Sequence, residues 1–214
     1  TLLASSAASD VYKRQGQSDV VTRLHGVQDR TWVSISELQP STVYAFISAE
    51  DARFFEHEGV DIIRIAGAIV ADIKAGSYVQ GASTISQQLI KLSHLTSEKT
   101  ISRKAEEAAL AYEMERQYSK EDILEMYLNY VYFGGGYYGI EAAAEGYFGV
   151  HASDLTLDQS AMLAGILKSP SGYAPHINYA ASINRRNNIL RLMRDYGYIC
   201  LLYTSDAADE ARSV

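Results

Sequence analysis

The feature that most constrains the fold is a succession of helical segments that begins at Pro40 and occupies most of the chain. Residues 41–50 read STVYAFISAE, and their apolar side chains recur at the spacing of one helix face. Proline suits a first helical turn because it has no backbone N–H to leave unpaired. The pattern predicts a mainly α domain whose first helix leads directly into Glu50.

Start and stop signals divide the rest of the chain into further helices. Ser119 with Asp122, and Thr156 with Gln159, have the capping-box spacing, in which side chain and backbone at a helix start satisfy each other's hydrogen bonds. Gly76 is suited to end the helix before it. The predicted helices cover residues 61–75, 83–95, 97–118, 120–133, 140–148, 157–169 and 178–196.

Only the start of the chain indicates β structure. Residues 19–40 contain the runs VVTRLHG and RTWVSI, which are short, rich in β-branched residues and surrounded by turn residues. A small strand pair is expected there. The predicted fold class is therefore mainly α, with a minor β element near the N-terminus.

Composition bounds the class of protein. With 214 residues, of which 47% are hydrophobic, the chain is long enough to bury one sizeable core. Its formal net charge of −7 argues against a protein that coats nucleic acid, so no nucleic-acid partner is expected. The single cysteine, Cys200, excludes an internal disulfide framework and a multi-cysteine zinc cluster. No apolar run approaches the roughly 18 residues of a membrane-spanning helix, and no secretion signal is recognisable.

The two ends differ from the middle. Residues 1–15 and 200–214 show no sustained helical or strand period and stop abruptly against patterned sequence. Both resemble translated sequencing-adapter read-through, and we expect them to be non-native; ordinary frayed termini are the alternative. The native domain is then expected to cover residues 16–199 and to be a fragment of a longer protein.

The stretch SAEDARFFEHEGVD, residues 48–61, concentrates carboxylates around one histidine and two phenylalanines. Taken alone, it is consistent with a solvated acidic turn, a metal site or the catalytic end of a helix. The metal interpretation of Asp51, Glu56 and His57 is weak because their spacing matches no recognised ligand pattern. No metal site is therefore predicted.

The stretch GASTISQQLIKL, residues 81–92, begins with a good turn and N-cap, for which Ser83 or Thr84 is suited. On the helix that follows, Ser83, Gln87 and Lys91 are spaced to share one face. Such a face suits a sugar or phosphate ligand, and a solvated polar stripe is the alternative.

Basic residues gather in the next segment, inside an otherwise acidic protein. If residues 97–118 form one helix, Lys99, Arg103 and Glu107 stand one above another, with Lys104 beside them. Spacing alone favours a surface charge ladder worth a few tenths of a kcal/mol per pair. The alternative is an anion site with a carboxylate next to it.

Five stretches, taken together and in order, resemble the family 51 glycosyltransferases. This family comprises the peptidoglycan polymerase domain of bifunctional penicillin-binding proteins and the monofunctional transglycosylases. The similar region covers about residues 27–198 and departs from the family pattern at Leu92 and Glu106, the latter placing a negative charge beside the basic residues. The stretches are AEDARFFEHEGVD, GASTISQQLIK, RKAEE, KEDILEMYLN and YFGGGYYGIEAAAEGYFG, followed by LAGILKSPSGYAP.

The resemblance implies a lysozyme-like helical head and a smaller apolar jaw that dips into the membrane. Helix 61–75 and the residues up to Val79 would form the jaw. Its alternative is an ordinary core helix, because the sequence does not distinguish core from bilayer. The candidate membrane-facing residues are Ile62, Ile63, Ile65, Ile69 and Val70.

The resemblance also implies an activity: polymerisation of lipid II into β-1,4-linked glycan strands, with inversion and release of polyprenyl diphosphate. Glu50 matches the catalytic base, and Glu107 matches a second glutamate that orients or stabilises the reacting centre. Asp51 and His57 are also expected to hold their loop by hydrogen bonds, with Phe54 and Phe55 packing it. The implied substrate-binding residues are Asp51, Phe54, His57, Ser83, Thr84, Gln87, Gln88, Lys91, Lys99, Arg103 and Lys104.

The same resemblance implies the surroundings of the reaction. The expected partners are lipid II, a lipid-linked glycan strand and the membrane surface, at the outer face of the cell membrane with the anchor outside this fragment. A transpeptidase domain is a candidate further part of the parent protein. No cofactor is required, and a divalent cation such as Mg²⁺ is an option as an assisting ion.

Two other functions stay open at the level of sequence. A lysozyme-type hydrolase would also pair carboxylates in a helical cleft, but it would use one of them as a general acid toward a sugar leaving group. A noncatalytic glycan- or lipid-binding module would keep the cations without needing Glu50. Basic residues and tandem glutamines fit the hydrolase poorly.

Overall fold

A computed structural model describes residues 31–76, 81–94 and 101–200 of the chain. Single-turn 3₁₀-helices lie at Ile35–Glu37 and Ala152–Asp154. The α-helices in these ranges are α1 (Pro40–Glu50), α2 (Ile62–Ala75), α3 (Ile85–His94), α4 (Ile101–Gln117), α5 (Lys120–Tyr130), α6 (Ile140–Phe148), α7 (Leu157–Ile166), α8 (Pro170–Tyr173) and α9 (Tyr179–Asp195). The prediction of a mainly α domain is confirmed.

Local signals set the helix ends. Ser119 Oγ accepts a hydrogen bond from the Asp122 backbone N–H at 3.1 Å, which completes the predicted capping box of α5. The Thr156 box at the start of α7 also forms. Helix α2 begins after Asp61, whose carboxylate accepts from the Arg64 backbone N–H at 2.8 Å, and ends at Gly76 in the left-handed conformation. Helix 97–118 is confirmed from residue 101 onward, and residues 95–100 lie outside the described ranges.

The predicted strand pair does not form in the part of residues 19–40 that the structure describes. Val33 instead exchanges hydrogen bonds with the side chain of Asn129, at 2.9 Å to its backbone N and 2.8 Å to its O. The backbone N–H of Ser34 donates to the Glu37 carboxylate at 2.9 Å, and the Ser34 carbonyl accepts from the Glu37 backbone N–H at 3.0 Å, which closes a 3₁₀ turn. These side-chain partners take up the backbone groups that a strand would use. Residues 19–30 lie outside the described ranges. Within the described ranges, the β structure is an isolated bridge between Tyr132 and Tyr138.

The core joins two groups of helices. Helix α1 packs with α7 and α9, while α3 packs with α4 and α5. Phe46 of α1 is fully buried and meets Phe133 edge-on, with ring centroids 5.9 Å apart. At the C-terminal end of α1, Glu50 accepts a hydrogen bond from Gln88 of α3, so Glu50 lies between the two groups.

Helix α2 does not belong to this core. Its isoleucines and its valine face outward: Ile62 is 75% exposed, Ile63 64%, Ile69 54%, Val70 51% and Ile73 74%. Ile65 is half-buried, and Ala68 is buried. The core-helix interpretation of residues 61–75 is therefore wrong. Within the described ranges, no helix is both long enough and apolar enough to cross a bilayer.

Candidate active site

Glu50 ends α1 as a half-buried side chain whose carboxylate meets α3. Its Oε2 accepts a hydrogen bond from Gln88 Nε2 at 3.0 Å. Gln88 is oriented in turn, because its Oε1 accepts from the hydroxyl of Tyr127 at 3.1 Å. A neutral amide thus holds the carboxylate, and a buried phenol holds the amide.

Several charges act on this carboxylate. Burial raises the pKa of Glu50 above its ordinary value, and the neighbouring carboxylate of Asp51 adds to the rise. The hydrogen bond from Gln88 and the positive charges of Arg185 and Arg64 lower the pKa and oppose that rise. A carboxylate whose pKa lies above its usual range is a stronger base than an exposed glutamate.

The residue after Glu50 anchors the loop that follows. Asp51 is fully buried, and its Oδ2 lies 2.9 Å from His57 Nε2 and accepts from the Ile85 backbone N–H at 3.0 Å. The loop is thereby tied both to itself and to the start of α3. The expectation that Asp51 and His57 hold the loop is confirmed, and contact of either residue with substrate stays a prediction.

A largely buried ion pair between Glu115 and Lys120 also holds the same loop. Glu115 Oε2 lies 2.7 Å from Lys120 Nζ, and Glu115 Oε1 lies 3.9 Å from His57 Nδ1. Lys120 donates to the backbone carbonyl of His57 at 2.6 Å and sits 4.5 Å from the ring centre of Phe54, which is fully buried. Phe54 packs the loop as expected, whereas Phe55 is 51% exposed and only meets the ring of Phe54 edge-on. Glu115 and Lys120 were not predicted, because each reads as an ordinary polar residue of its own helix.

The start of α3 differs from the expected polar face. Thr84 and Gln87 are buried, and each accepts from the other's backbone N–H at 3.1 Å. Thr84 Oγ1 also donates to the carbonyl of Gly59 at 2.6 Å. Gln87 therefore caps the helix, whereas the adjacent Gln88 reaches Glu50. Substrate binding by Thr84 and Gln87 stays a prediction.

The second predicted carboxylate lies on α4. Glu107 is only 2% exposed, and Lys104, one turn earlier, donates to its Oε1. Lys104 also donates to Ser83 Oγ at 2.8 Å, so one ammonium group bridges α4 and the segment that leads into α3. The predicted residues Ser83, Lys104 and Glu107 are thus brought together.

The other predicted cations are only partly placed. Lys91 is exposed on α3 and Arg103 is half-buried on α4, so both lie on the pair of helices that carries Gln88 and Glu107. Lys99 falls outside the described residues. Glu106, the departure from the family pattern, is exposed on the same helix as Arg103.

Arg64 and Tyr127 complete the surroundings of Glu50. One Arg64 nitrogen donates to the backbone carbonyl of Glu50 and lies 3.6 Å from Asp51 Oδ1, and another donates to the Gly81 carbonyl at 3.3 Å. Burial, with Glu50 nearby, raises the pKa of Tyr127 well above its usual range, so its hydroxyl remains a donor. Arg64 and Tyr127 are distant from Glu50 in the sequence, and no local sequence pattern predicts that they lie near it.

In the acidic loop, residues 48–61, no three side chains lie close enough together to bind a metal ion. Asp51 and His57 bond to each other, and Glu56 pairs with Arg53 at 3.3 Å. Across the residues that the structure describes, the three-residue grouping with suitable ligand atoms is Glu141, Glu145 and His151. Glu145 and His151 are exposed, and Glu141 is buried.

Comparison with known proteins agrees with this geometry. The family model described as "Transglycosylase" matches residues 17–194, which include every element of the site. The chain belongs to the transglycosylase family. The mainly helical fold is therefore that of a transglycosylase domain.

Relatives of this transglycosylase domain include penicillin-binding proteins. The chain is 46% identical to penicillin-binding protein 1A/1B of Bacillus subtilis over 92% of the chain and 21% of the relative. It is 43% identical to penicillin-binding protein 1A of Aquifex aeolicus over 90% of the chain and 26% of the relative. The chain thus spans about a quarter or less of the length of these relatives.

A solved structure shares the fold of this transglycosylase domain. The crystal structure of penicillin-binding protein 1A from Haemophilus influenzae matches 85% of this chain and 18% of its own chain, with a TM-score of 0.50 and 24% sequence identity. At that identity the match supports the fold. The assignment of individual side chains rests on the geometry given above.

Proposed function

We propose that this transglycosylase domain is a peptidoglycan glycosyltransferase that polymerises lipid II, with Glu50 as general base. The observation that carries the proposal is the half-buried Glu50 carboxylate held by Gln88 at 3.0 Å, within a chain that matches the transglycosylase family over residues 17–194. Burial raises the pKa of this carboxylate, which suits a group that must accept a proton.

The proposed step joins two sugars. Glu50 takes the proton of the acceptor 4-hydroxyl as that oxygen forms a bond to the anomeric carbon of the donor, and the bond from that carbon to the pyrophosphate oxygen breaks. Attack opposite the leaving group inverts the anomeric centre, which converts an α-linked donor into a β-1,4 bond. A base is required because a protonated sugar hydroxyl is a poor nucleophile.

The leaving group needs positive charge more than it needs a proton. A pyrophosphate departs as a stable anion, and cations at its oxygens stabilise the charge that develops in the transition state. We assign this task to Lys91, Lys99, Arg103 and Lys104, of which arginine is able to bind phosphate oxygens in a bidentate manner. Glu107, held by Lys104, orients this cation and the reacting centre. A divalent cation such as Mg²⁺ is proposed only as an assisting ion.

The exposed apolar surface of α2 supports a location at the membrane. A polyprenyl-linked donor stays in the bilayer, so the site must lie at the bilayer surface to reach the pyrophosphate. The isoleucines of α2 would enter the lipid as an interfacial helix does. We propose the outer face of the cell membrane as the location, with lipid II and the lipid-linked strand as substrates and a transpeptidase domain in the parent protein.

A substitution at Glu50 tests the proposal. Glu50→Gln keeps the shape of the side chain and its acceptor for Gln88, but it removes basicity. General-base contributions are about 10²- to 10⁴-fold, so this variant should polymerise at least about a hundredfold more slowly and still bind lipid-linked glycan. The assay follows lipid II consumption and strand length on gels, with binding measured separately.

Glu58→Gln is the matched control, because Glu58 is an exposed carboxylate of the same loop. It should retain nearly full activity. Near-normal turnover by folded Glu50→Gln protein would contradict the assignment of Glu50. The products also separate the alternatives: the proposal predicts long strands, a hydrolase would give short fragments, and a binding module would give no product.

A further inference from the structure

The hydrogen bonds that connect Tyr127, Gln88 and Glu50 have a direction, because the two ends of an amide group differ. Gln88 Nε2 donates to Glu50 Oε2 at 3.0 Å, and the Tyr127 hydroxyl donates to Gln88 Oε1 at 3.1 Å. Glu50 ends α1, Gln88 lies on α3 and Tyr127 lies on α5. The connection therefore depends on the packing of three separate helices.

A half-turn of the Gln88 amide would reverse both contacts. The amide oxygen would then face the Glu50 carboxylate, and two acceptors with no proton between them repel each other. Protonated Glu50 has a hydroxyl group that is able to donate to this oxygen, so the reversed amide suits the protonated form. The direction of the amide and the protonation of Glu50 are consequently linked.

Tyr127 favours one of the two directions. Its side chain is fully buried, and its hydroxyl proton has no acceptor other than Gln88 among the residues that the structure describes. If the amide were reversed, this proton would face an NH₂ group, which does not accept a hydrogen bond. A buried donor that loses its partner is unfavourable, because it has given up its hydrogen bonds to water. The phenol therefore opposes the reversal that protonated Glu50 would permit.

The phenol also keeps the proton that it donates. Burial, followed by the negative charges of Glu50 and Asp51, raises the pKa of Tyr127 well above its usual range. The hydroxyl is consequently a donor throughout the pH range in which a carboxyl group titrates.

The charged groups around Glu50 do not set the direction of the amide. Arg64 of α2 donates to the backbone carbonyl of Glu50, and the positive charge of Arg185 on α9 lowers the pKa of the Glu50 carboxylate. The Asp51 carboxylate raises this pKa, and burial raises it most of all. The hydrogen bonds that the structure describes for the Gln88 amide are those to the carboxylate and to the phenol.

We propose that Tyr127 is a positioning residue that fixes the direction of the Gln88 amide, so that an N–H group and not the carbonyl oxygen faces Glu50. A fixed N–H donor favours the ionised carboxylate, which is the form that accepts a proton. The consequence for catalysis rests on the proposed function, whereas the consequence for the protonation of Glu50 does not.

The direct test is the titration of Glu50 by NMR in the whole chain, labelled with ¹³C at the glutamate carboxyl groups. The loss of one signal in Glu50→Gln assigns the resonance. Tyr127→Phe removes the hydroxyl and retains the buried ring. It should raise the Glu50 midpoint by about half a pH unit, because the amide is then free to reverse.

Tyr147→Phe is the matched control, because it also removes one tyrosine hydroxyl. That hydroxyl donates to the backbone carbonyl of Phe133 at 3.0 Å and has no contact with the Gln88 amide. The control should leave the Glu50 midpoint unmoved. An unmoved midpoint in folded Tyr127→Phe protein would overturn the inference.

A double substitution separates an effect through the amide from a general effect of the phenol. Gln88→Leu removes the amide and should raise the Glu50 midpoint at least as far as Tyr127→Phe does. In the Gln88→Leu protein, Tyr127→Phe should add no further shift, because no amide remains for the hydroxyl to orient. Shifts from the two substitutions that add fully would also overturn the inference.

The kinetic test is the pH profile of kcat/KM for lipid II polymerisation. Tyr127→Phe should lose about threefold on the acid limb and recover at higher pH, because the base is still present but ionises later. A loss that is equal at every pH would show a purely structural role and contradict the inference. If the midpoints move as expected while the wild-type protein makes no polymer, the inference stands and the proposed function fails.

Discussion

At the scale of single residues, the behaviour of Glu50 follows from which groups surround its carboxylate. The only side-chain hydrogen bond to it that the structure describes comes from the neutral amide of Gln88. A direct hydrogen bond from a cation would stabilise the ionised form strongly and make a weaker base. Arg64 instead binds the backbone carbonyl of Glu50, and the positive charge of Arg185 lowers the pKa of the carboxylate. Burial then keeps the pKa of Glu50 raised.

This raised pKa has a consequence for stability. Because the folded protein holds the Glu50 proton to higher pH than the unfolded chain does, the stability contribution of protonated Glu50 is complete below the unfolded pKa. It is lost as pH rises through the folded pKa. Glu50→Gln cannot ionise, so we expect its melting temperature to exceed that of the wild type by an amount that grows over this pH range and then levels off.

Thermal denaturation at a series of pH values, followed by circular dichroism, measures this difference. The exposed Glu58→Gln variant serves again as control and should follow the wild type at every pH. If Glu50→Gln instead became progressively less stable than the wild type as the pH rises, the carboxylate would be stabilising in its ionised form and the assigned direction of the pKa shift would be wrong.

At the scale of elements, α2 is a helix whose apolar side chains point away from the protein. Five large apolar side chains on it are at least half exposed, which no buried helix of a soluble core would show. Its first turn nevertheless contacts the site through Arg64, which reaches the carbonyl of Glu50. The element that would enter the lipid is therefore joined directly to the proposed base.

Replacement of Ile69 and Ile73 by serine should weaken the binding of the protein to phosphatidylglycerol vesicles at least about tenfold. Full burial of an isoleucine contributes roughly 1.5 to 3 kcal/mol. Partial insertion of two isoleucines into the lipid would therefore be sufficient to account for a change in binding of about tenfold. Far-UV circular dichroism should not change, because both residues are exposed. Vesicle sedimentation measures the binding.

Ile177→Ser is the matched control, since Ile177 is an exposed isoleucine between α8 and α9. It should leave vesicle binding unchanged. An equal loss from Ile177→Ser would show general surface hydrophobicity instead of a membrane-facing helix, and unfolding of the α2 variant would show that its isoleucines support the fold.

At the scale of the whole molecule, a close backbone approach holds the loop after Glu50 against α4. Gly59 has φ of 83°, and a Cβ atom built there would lie 2.7 Å from the backbone of Ala111. The carbonyl of Gly59 accepts from Thr84 Oγ1 at 2.6 Å, so the same residue also joins α3. Gly59 thus links the loop after Glu50 to α3 and α4.

Gly59→Ala should lower the free energy of unfolding by more than about 1 kcal/mol, because the new methyl group meets backbone atoms and the backbone conformation disfavours a side chain. Denaturant unfolding monitored by tryptophan fluorescence measures the change. Gly67→Ala is the matched control: Gly67 lies within α2 with nothing near its added Cβ, and the substitution should be neutral or stabilise by up to about 1 kcal/mol. Equal stability of the Gly59 and Gly67 variants would contradict the proposed close packing.

The sequence by itself determined the helices, their capping residues and the family, because these depend on interactions within a few residues and on the order of motifs. Ser119, Thr156 and Gly76 act where their local patterns predict. Glu50 and Glu107 were found through motif resemblance, and their catalytic roles stay predictions. So does the assignment of residues 1–15 and 200–214 as non-native.

Only the tertiary structure decided which side chains meet Glu50 and which face of each helix is buried. Gln87 and Gln88 are adjacent and chemically identical, yet one caps α3 and the other holds the carboxylate, because packing against α4 and α5 sets the rotation of the helix. Arg64 of α2 likewise reaches the backbone carbonyl of Glu50 from a separate helix. The sequence also did not determine the exposure of α2, because the apolar pattern of a helix is the same whether its apolar side chains are covered by protein or by lipid. Contacts between distant segments depend on the complete packing, and no local pattern encodes them.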